Sequence, residues 1–233
     1  MALTDKLTAI ANAIRSKTGK EDKLTLEQMA TEIDGLEIGN TETEDGLVAR
    51  TVTDYINNRV TTVGTHIFMG STALKTARFP NATNLIGTNH FYGCHNLEEV
   101  YFPKLVGGFG DSNSLYGCAA LKELILPSYE NSITGLTQCI SLTKVDLNAC
   151  TAIAQNTFFK CNSLNTVIIR NGFTSLYNIN AFADTPIEAG TGYIYVPKAL
   201  IEQYKVATNW INFSEQFRAI EDYPEICGGA GND

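Results

Sequence analysis

Apolar and polar positions recur along the middle of the chain with a period near 23 residues. FMGSTALKTARFP (68–80), FYGCHNLEEVYFP (91–103) and LYGCAALKELILP (115–127) are three copies of one pattern. LTQCISLTKVDLN (136–148) is a fourth, and FKCNSLNTVIIR (159–170), preceded by Phe158, a fifth. A degenerate sixth runs from Phe182 through Ile187 to YIYVP (193–197). The leucine column reads Leu74, Leu97, Leu121, Leu142, Leu164, then Ile187, in steps of 23, 24, 21, 22 and 23 residues. A period kept over six copies marks a stacked repeat.

Within each copy the apolar residues alternate after the leucine. Val100 and Phe102 point one way, Glu99 and Tyr101 the other. This is the period of a strand. Leu124 with Leu126, Val145 with Leu147, and Val167 with Ile169 repeat it. Pro80, Pro103, Pro127 and Pro197 follow the strands. Proline lacks the N–H that a ladder needs, so each marks a strand end. One unit cannot bury its apolar side alone, but stacked units share a core, each rising about one strand spacing, ~4.8 Å. The expected architecture is a β-rich solenoid of about six repeats.

The ends read differently. Leu3, Leu7, Ile10 and Ile14 form an amphipathic stripe, and Gly19 is a stop signal. Thr25 to Gln28 fits a capping box, with Leu26, Met29 and Ile33 lining a second helix. Residues 1–36 therefore read as a helical hairpin and 37–46 as a polar, acidic linker. Such short helices need a partner, either the first repeat unit or a self-association or docking surface. Residues 47–197 form the solenoid, with 47–62 as its N-terminal cap. Residues 198–233 form a C-terminal cap helix and a flexible tail. Ala199, Leu200, Tyr204 and Ala207 make one face of that helix, and Trp210 and Phe213 plug the last unit.

Charge divides the same way. The chain has 233 residues and a net charge of −8. Residues 1–47 hold 5 basic and 10 acidic side chains, 48–197 hold 9 and 9, and 198–233 hold 3 and 6. The sign is wrong for a nucleic-acid partner. The neutral middle excludes recognition led by long-range charge. No apolar run approaches the ~18 residues of a membrane helix. No basic region followed by an apolar one marks a signal peptide at the N-terminus.

Six cysteines are the count that suggests chemistry. Cys94, Cys118, Cys139 and Cys161 each lie three residues before the column leucine, and Ser71 and Thr185 fill the slot in the end copies, Thr185 one residue closer to its Ile187. A buried ladder of small side chains explains them. Disulfides between stacked units or a metal site are the alternatives, and spacings of 21–24 residues resemble no metal motif. Cys150 is expected inward, and Cys227, in DYPEICGGAGND, exposed in a loose tail.

Candidate catalytic groups are sparse. His90 and His95 flank Cys94, yet His95 should point away if Cys94 points inward. His66 is expected on the surface. GDSNSLYG (110–117) lacks the glycine and the final glutamate of a calcium loop. GGFG (107–110) opens no helix, so it is no phosphate cradle. Glu99 and Glu123 stack at a spacing that suits a glycosidase pair, but on a flat face without a pocket. No catalytic residue, metal or cofactor is expected.

FYGCHNLEEVYFP, LYGCAALKELILP and FKCNSLNTVIIR resemble the repeats of the BspA-like leucine-rich repeat family. The resemblance covers roughly residues 55–197, and GTGYIYVPKALIEQYKVATNW looks like the closing segment of such proteins. LTAIANAIRSKTGKEDKLTLEQMATEI is similar to a helical module that precedes such repeats in tail-associated proteins of prophages from gut Gram-positive bacteria. The family implies a leucine-rich-repeat solenoid. It includes adhesins, surface antigens and tail proteins, and shares no catalytic residues. A virion-associated or cell-surface recognition protein is implied, with an assembly protein as the alternative.

Solenoids bind through outward columns of the sheet. One column reads Arg78, Tyr101, Ile125, Asp146, Ile168 and Tyr195. Its neighbour includes Glu99, Glu123 and Lys144. A second outward column, at the turn, reads Met69, Tyr92, Tyr116, Thr137, Phe159 and Ala183. Isoleucines and tyrosines beside charges suit a protein or carbohydrate on a cell surface. Strand propensity alone would also place them there. The first column is the expected interaction face, and the N-terminal helices the expected route to a homo-oligomer.

Overall fold

The computed structural model describes residues 52–109 and 113–228. The expected helical hairpin, linker and start of the N-terminal cap lie outside these residues. Strands β1 (Asp54–Ile56), β3 (Thr76–Arg78) and β5 (Glu99–Tyr101) form one parallel sheet in the order β1-β3-β5. Strands β6 (Glu123–Leu126), β7 (Lys144–Leu147), β9 (Thr166–Ile169), β11 (Tyr193–Val196) and β12 (Phe217–Ala219) form a second, in that spatial order. Two short parallel pairs accompany them. They are β2 (Thr62–Val63) with β4 (Asn84–Leu85), and β8 (Ala152–Ile153) with β10 (Ser175–Leu176).

The register is the sequence period made physical. Glu123, Lys144, Thr166 and Tyr193 align across β6, β7, β9 and β11. Thr76 aligns with Glu99 across β3 and β5. No strand pairing joins β5 to β6, yet the stack continues there through the preceding turn. The Phe91 N–H donates to Ser114 O at 2.8 Å and the Gly93 N–H to Tyr116 O at 2.8 Å. The same two bonds recur from Phe68 and Gly70, Leu115 and Gly117, Leu136 and Gln138, and Phe158 and Lys160.

That turn needs one residue in the left-handed region, immediately before the cysteine slot. Gly70, Gly93 and Gly117 take it at φ near +70°, where glycine is unstrained. Gln138, Lys160 and Asp184 take the same place in the later units at φ of 60–62°. The turn geometry is therefore imposed by the stack even where the local sequence resists it.

The core is one continuous column. Leu74, Leu97, Leu121, Leu142, Leu164 and Ile187 are fully buried. Phe68 stacks on Phe91 and Phe79 on Phe102, with centroids 5.2 and 5.1 Å apart. Residues 54–56, expected within a cap, instead supply a rung of the sheet. Tyr55 explains this, because its ring packs against Phe68 and Phe79 at 4.9 and 5.5 Å.

At the far end the chain packs back on the last unit. Helix α1 (Ile201–Val206) brings Tyr204 against Trp210, Phe173 and Phe217. The Trp210 indole N–H donates to Thr174 O at 2.7 Å, and the Thr174 N–H donates to the Tyr204 hydroxyl at 2.8 Å. Both bonds satisfy backbone groups that the last unit would otherwise bury unpaired. The chain then continues as β12, a 3-10 turn at Ile220–Asp222 and a short helix α2 (Pro224–Cys227). These elements stand where a flexible tail was expected.

Candidate interaction face

Cys94, Cys118, Cys139 and Cys161 are fully buried, with their thiols free. Each thiol donates to a carbonyl of the preceding unit: Phe68, Phe91, Leu115 and Leu136, at 2.9, 3.3, 3.1 and 3.1 Å. The same carbonyls accept N–H bonds from Ser71, Cys94, Cys118 and Cys139. A carbonyl oxygen has two lone pairs, and the thiol occupies the second across the stack. Burial pushes the Cys94 thiol up to about 12 and raises Cys118 well above its ordinary value. Such thiols are held protonated. Cys150 is also buried and inward, donating to Ala152 O at 3.2 Å.

The histidines divide. His66 is exposed. His95 points outward and its Nδ1–H donates to Gly117 O at 2.8 Å. The Cys94 thiol points inward, so the two do not form a dyad. His90 is fully buried. Its Nε2 lies 2.9 Å from Ile86 O, which only accepts, so Nε2 carries the proton. Nδ1 then accepts from the Ser114 hydroxyl at 2.9 Å. Burial lowers the His90 pKa and keeps the ring neutral.

The outward sheet column splits into an open and a covered half. In the open half Ile56, Arg78 and Tyr101 align across β1, β3 and β5. Ile56 is 58% exposed and Tyr101 46%. Arg78 grips Glu99 with two bonds, Nε to Oε1 at 2.8 Å and Nη2 to Oε2 at 2.9 Å. These bonds, then the guanidinium charge, hold the Glu99 carboxyl below its ordinary range. Glu99 is thus committed to Arg78 rather than poised against Glu123. Ile125 is half-buried and Glu123 exposed. The Thr76 hydroxyl donates to Asp54 at 2.8 Å and, with Thr53, keeps that carboxyl ionised. On the turn column Tyr92 and Tyr116 stack on each other, with centroids 4.9 Å apart.

The covered half departs from the expected open face. Beyond Ile125, which pairs with Asp146, the column continues in register through Asp146, Ile168 and Tyr195. Yet Asp146 is 1% exposed, Ile168 0% and Tyr195 3%. The segment after β12 folds back over them. Ile168, Tyr195 and Cys227 form one cluster with Tyr193, Ile220, Tyr223 and Ile226. Tyr223 meets Tyr195 edge-on at 5.5 Å. Arg170 grips Asp146 at 2.8 and 2.6 Å, and its Nη2 also donates to Cys227 O at 2.7 Å. Lys144 Nζ donates to Ile226 O at 3.2 Å. Two cations thus hold the carbonyl end of α2, where a helix is negative. Cys227, expected exposed, is 2% exposed because this docking buries it.

Nothing periodic announced the covering segment. The available signal was Ile168 and Tyr195 in an outward column beside an Asp146–Arg170 pair, an apolar strip with cations at its edge. Such a strip on a nominally wet face asks for a cover.

The parallel rungs, the buried leucine column and the thiol ladder define a β-rich leucine-rich-repeat protein. A model of the BspA type leucine rich repeat region matches residues 51–137 and 111–201, with six copies, and the chain belongs to that family. No curated protein matches the chain.

Proposed function

We propose that this chain is a non-enzymatic recognition protein whose repeats form a solenoid with a docking face for a protein on a cell surface. The observation that carries this reading is the open half of the outward column. Ile56, Tyr101 and Ile125 offer apolar contact there, bordered by the Arg78–Glu99 pair and Glu123. An aromatic anchor amid aliphatic and polar neighbours is the composition of an interface centre. The role fits a phage-tail or cell-surface component, located on a virion or a cell surface. The amphipathic stripes of residues 1–36 would then supply attachment or self-association.

The test is binding to bacterial cells and to purified surface proteins and glycans, comparing the protein with its Tyr101→Ala/Ile125→Ala variant. Both residues lie outside the buried core, so the variant should stay folded with at most a modest drop in its melt while affinity falls roughly tenfold or more. Unchanged binding would move the site off this face. Binding carried by a glycan alone would replace the protein ligand with a sugar. Light scattering on the chain lacking residues 1–46 tests self-association, and an unchanged mass would remove it.

A further inference from the structure

The covered half of the face shows what kind of ligand this sheet takes. Its occupant is a short segment, Ile220 to Gly228, with an aromatic residue at 223, an aliphatic one at 226 and a small one at 227. Tyr223, Ile226 and Cys227 meet Ile168 and Tyr195 below. The two bonds from Lys144 and Arg170 both go to main-chain carbonyls, those of Ile226 and Cys227. Neither cation reads a side chain of the occupant. Any helical end with open carbonyls and the same apolar spacing satisfies the same groups.

The receiving side is built. Asp146 is buried and holds the Arg170 guanidinium through Nε and Nη2, and the second hydrogen of Nη2 is aimed at the occupant. The occupant is not self-supporting. Helix α2 has four residues and begins at Pro224, far below the length at which a helix is stable in water. The face therefore orders the segment, rather than the segment ordering the face. The remaining ties are at the near edge, where Glu221 accepts from the Lys198 N–H and Asp222 pairs with Lys198 Nζ at 3.2 Å, both exposed.

We propose that the sheet face over β7, β9 and β11 is a binding site for a short helical protein segment, occupied in this chain by its own residues 220–228. A partner segment would carry an aromatic residue, an aliphatic one three positions on and a small one next. It would end on free carbonyls and have no Lys or Arg at that end, where Lys144 and Arg170 would repel it. This goes beyond the open-half reading and does not need it, because the two sites share no residue.

Cys227 makes the test possible on the full chain. It is the covering segment's own thiol, while the other five lie in the core of the repeats. Under native conditions a bulky maleimide should modify Cys227 at least a hundredfold faster than the others, with the melt of the repeats retained. The adduct cannot re-dock, so the face stays open. A fluorescent peptide of residues 220–228 carrying Cys227→Ser should then bind the adduct at least tenfold more tightly than the unmodified protein. Lys144→Ala should weaken that binding several-fold. The proposal is overturned if Cys227 reacts no faster than the core thiols, if its adduct loses the melt of the repeats, or if the adduct does not bind the peptide.

Discussion

The sheet face carries two arginine–carboxylate pairs of the same geometry in two different surroundings. Arg78 and Glu99 meet in the open half, each side chain more than two-fifths exposed, at 43% and 44%. Arg170 and Asp146 meet in the covered half, where Asp146 is sealed from water. Water screens the first pair, which contributes little to stability. The second stands over a desolvated carboxylate, so its loss leaves an uncompensated charge. Geometry is equal and burial differs, so burial assigns the roles. The open pair stays in contact with water, while the covered pair holds the chain's own residues 220–228.

The largest effect should come from breaking the covered pair. Arg170→Ala is expected to lower stability by about 3–5 kcal/mol in denaturant titration, the scale for removing one partner of a buried ion pair. Arg78→Ala should leave the denaturation midpoint nearly unchanged. Equal effects would erase the distinction between the halves. The isoleucines of the same column sharpen it further. Ile168→Ala should cost about 2–4 kcal/mol, as a fully buried aliphatic does. Ile125→Ala, half-buried, should cost less than about half of that.

The units also differ at the turn before the cysteine slot. Gly93→Ala forces a Cβ into the left-handed region and should cost about 1–2 kcal/mol, although the space around it is open. Gln138→Gly should act the other way and add up to about 1 kcal/mol, the relieved strain being offset by a more flexible unfolded chain. Thermal melts of the two variants should shift in opposite directions.

The smallest effect is a pH dependence, and it belongs to the open-half units. His90 is buried neutral, with its pKa lowered by that burial. The unfolded chain therefore binds the proton more readily than the folded one. The stability that neutral His90 contributes is present above the ordinary imidazole value of ~6.5 and lost as pH falls below it. Melts between pH 5 and 8 should show this loss, and His90→Gln should flatten it.

Much of this was legible in the sequence. The period, the strand alternation and the inward thiols follow from residues that repeat, and Tyr204 from a helix stripe. The thiol-to-carbonyl bonds were not legible, since they depend on how far one unit rises over the next. Nor was the break between β5 and β6, because their copies match as well as any others. The covering segment escaped for a definite reason. DYPEICG is too short to show a helical period and carries a proline at 224, so it reads as a tail. Its order comes from Lys144, Arg170, Ile168 and Tyr195, which lie 25 or more residues away in the chain. Asp146, Ile168 and Tyr195, half of the expected interaction column, are covered for that reason alone.

Tyr101 and Tyr195 offer the most direct measurement. They hold equivalent places in one outward column, one open and one beneath Tyr223. Residue-resolved hydroxyl-radical footprinting of the native protein should oxidise the Tyr101 ring several-fold faster than the Tyr195 ring. A protein that docks on the open half, as proposed, should lower reactivity at Tyr101 and leave Tyr195 unchanged. Equal oxidation of the two rings in the free protein would contradict the division of the face into an open and a covered half.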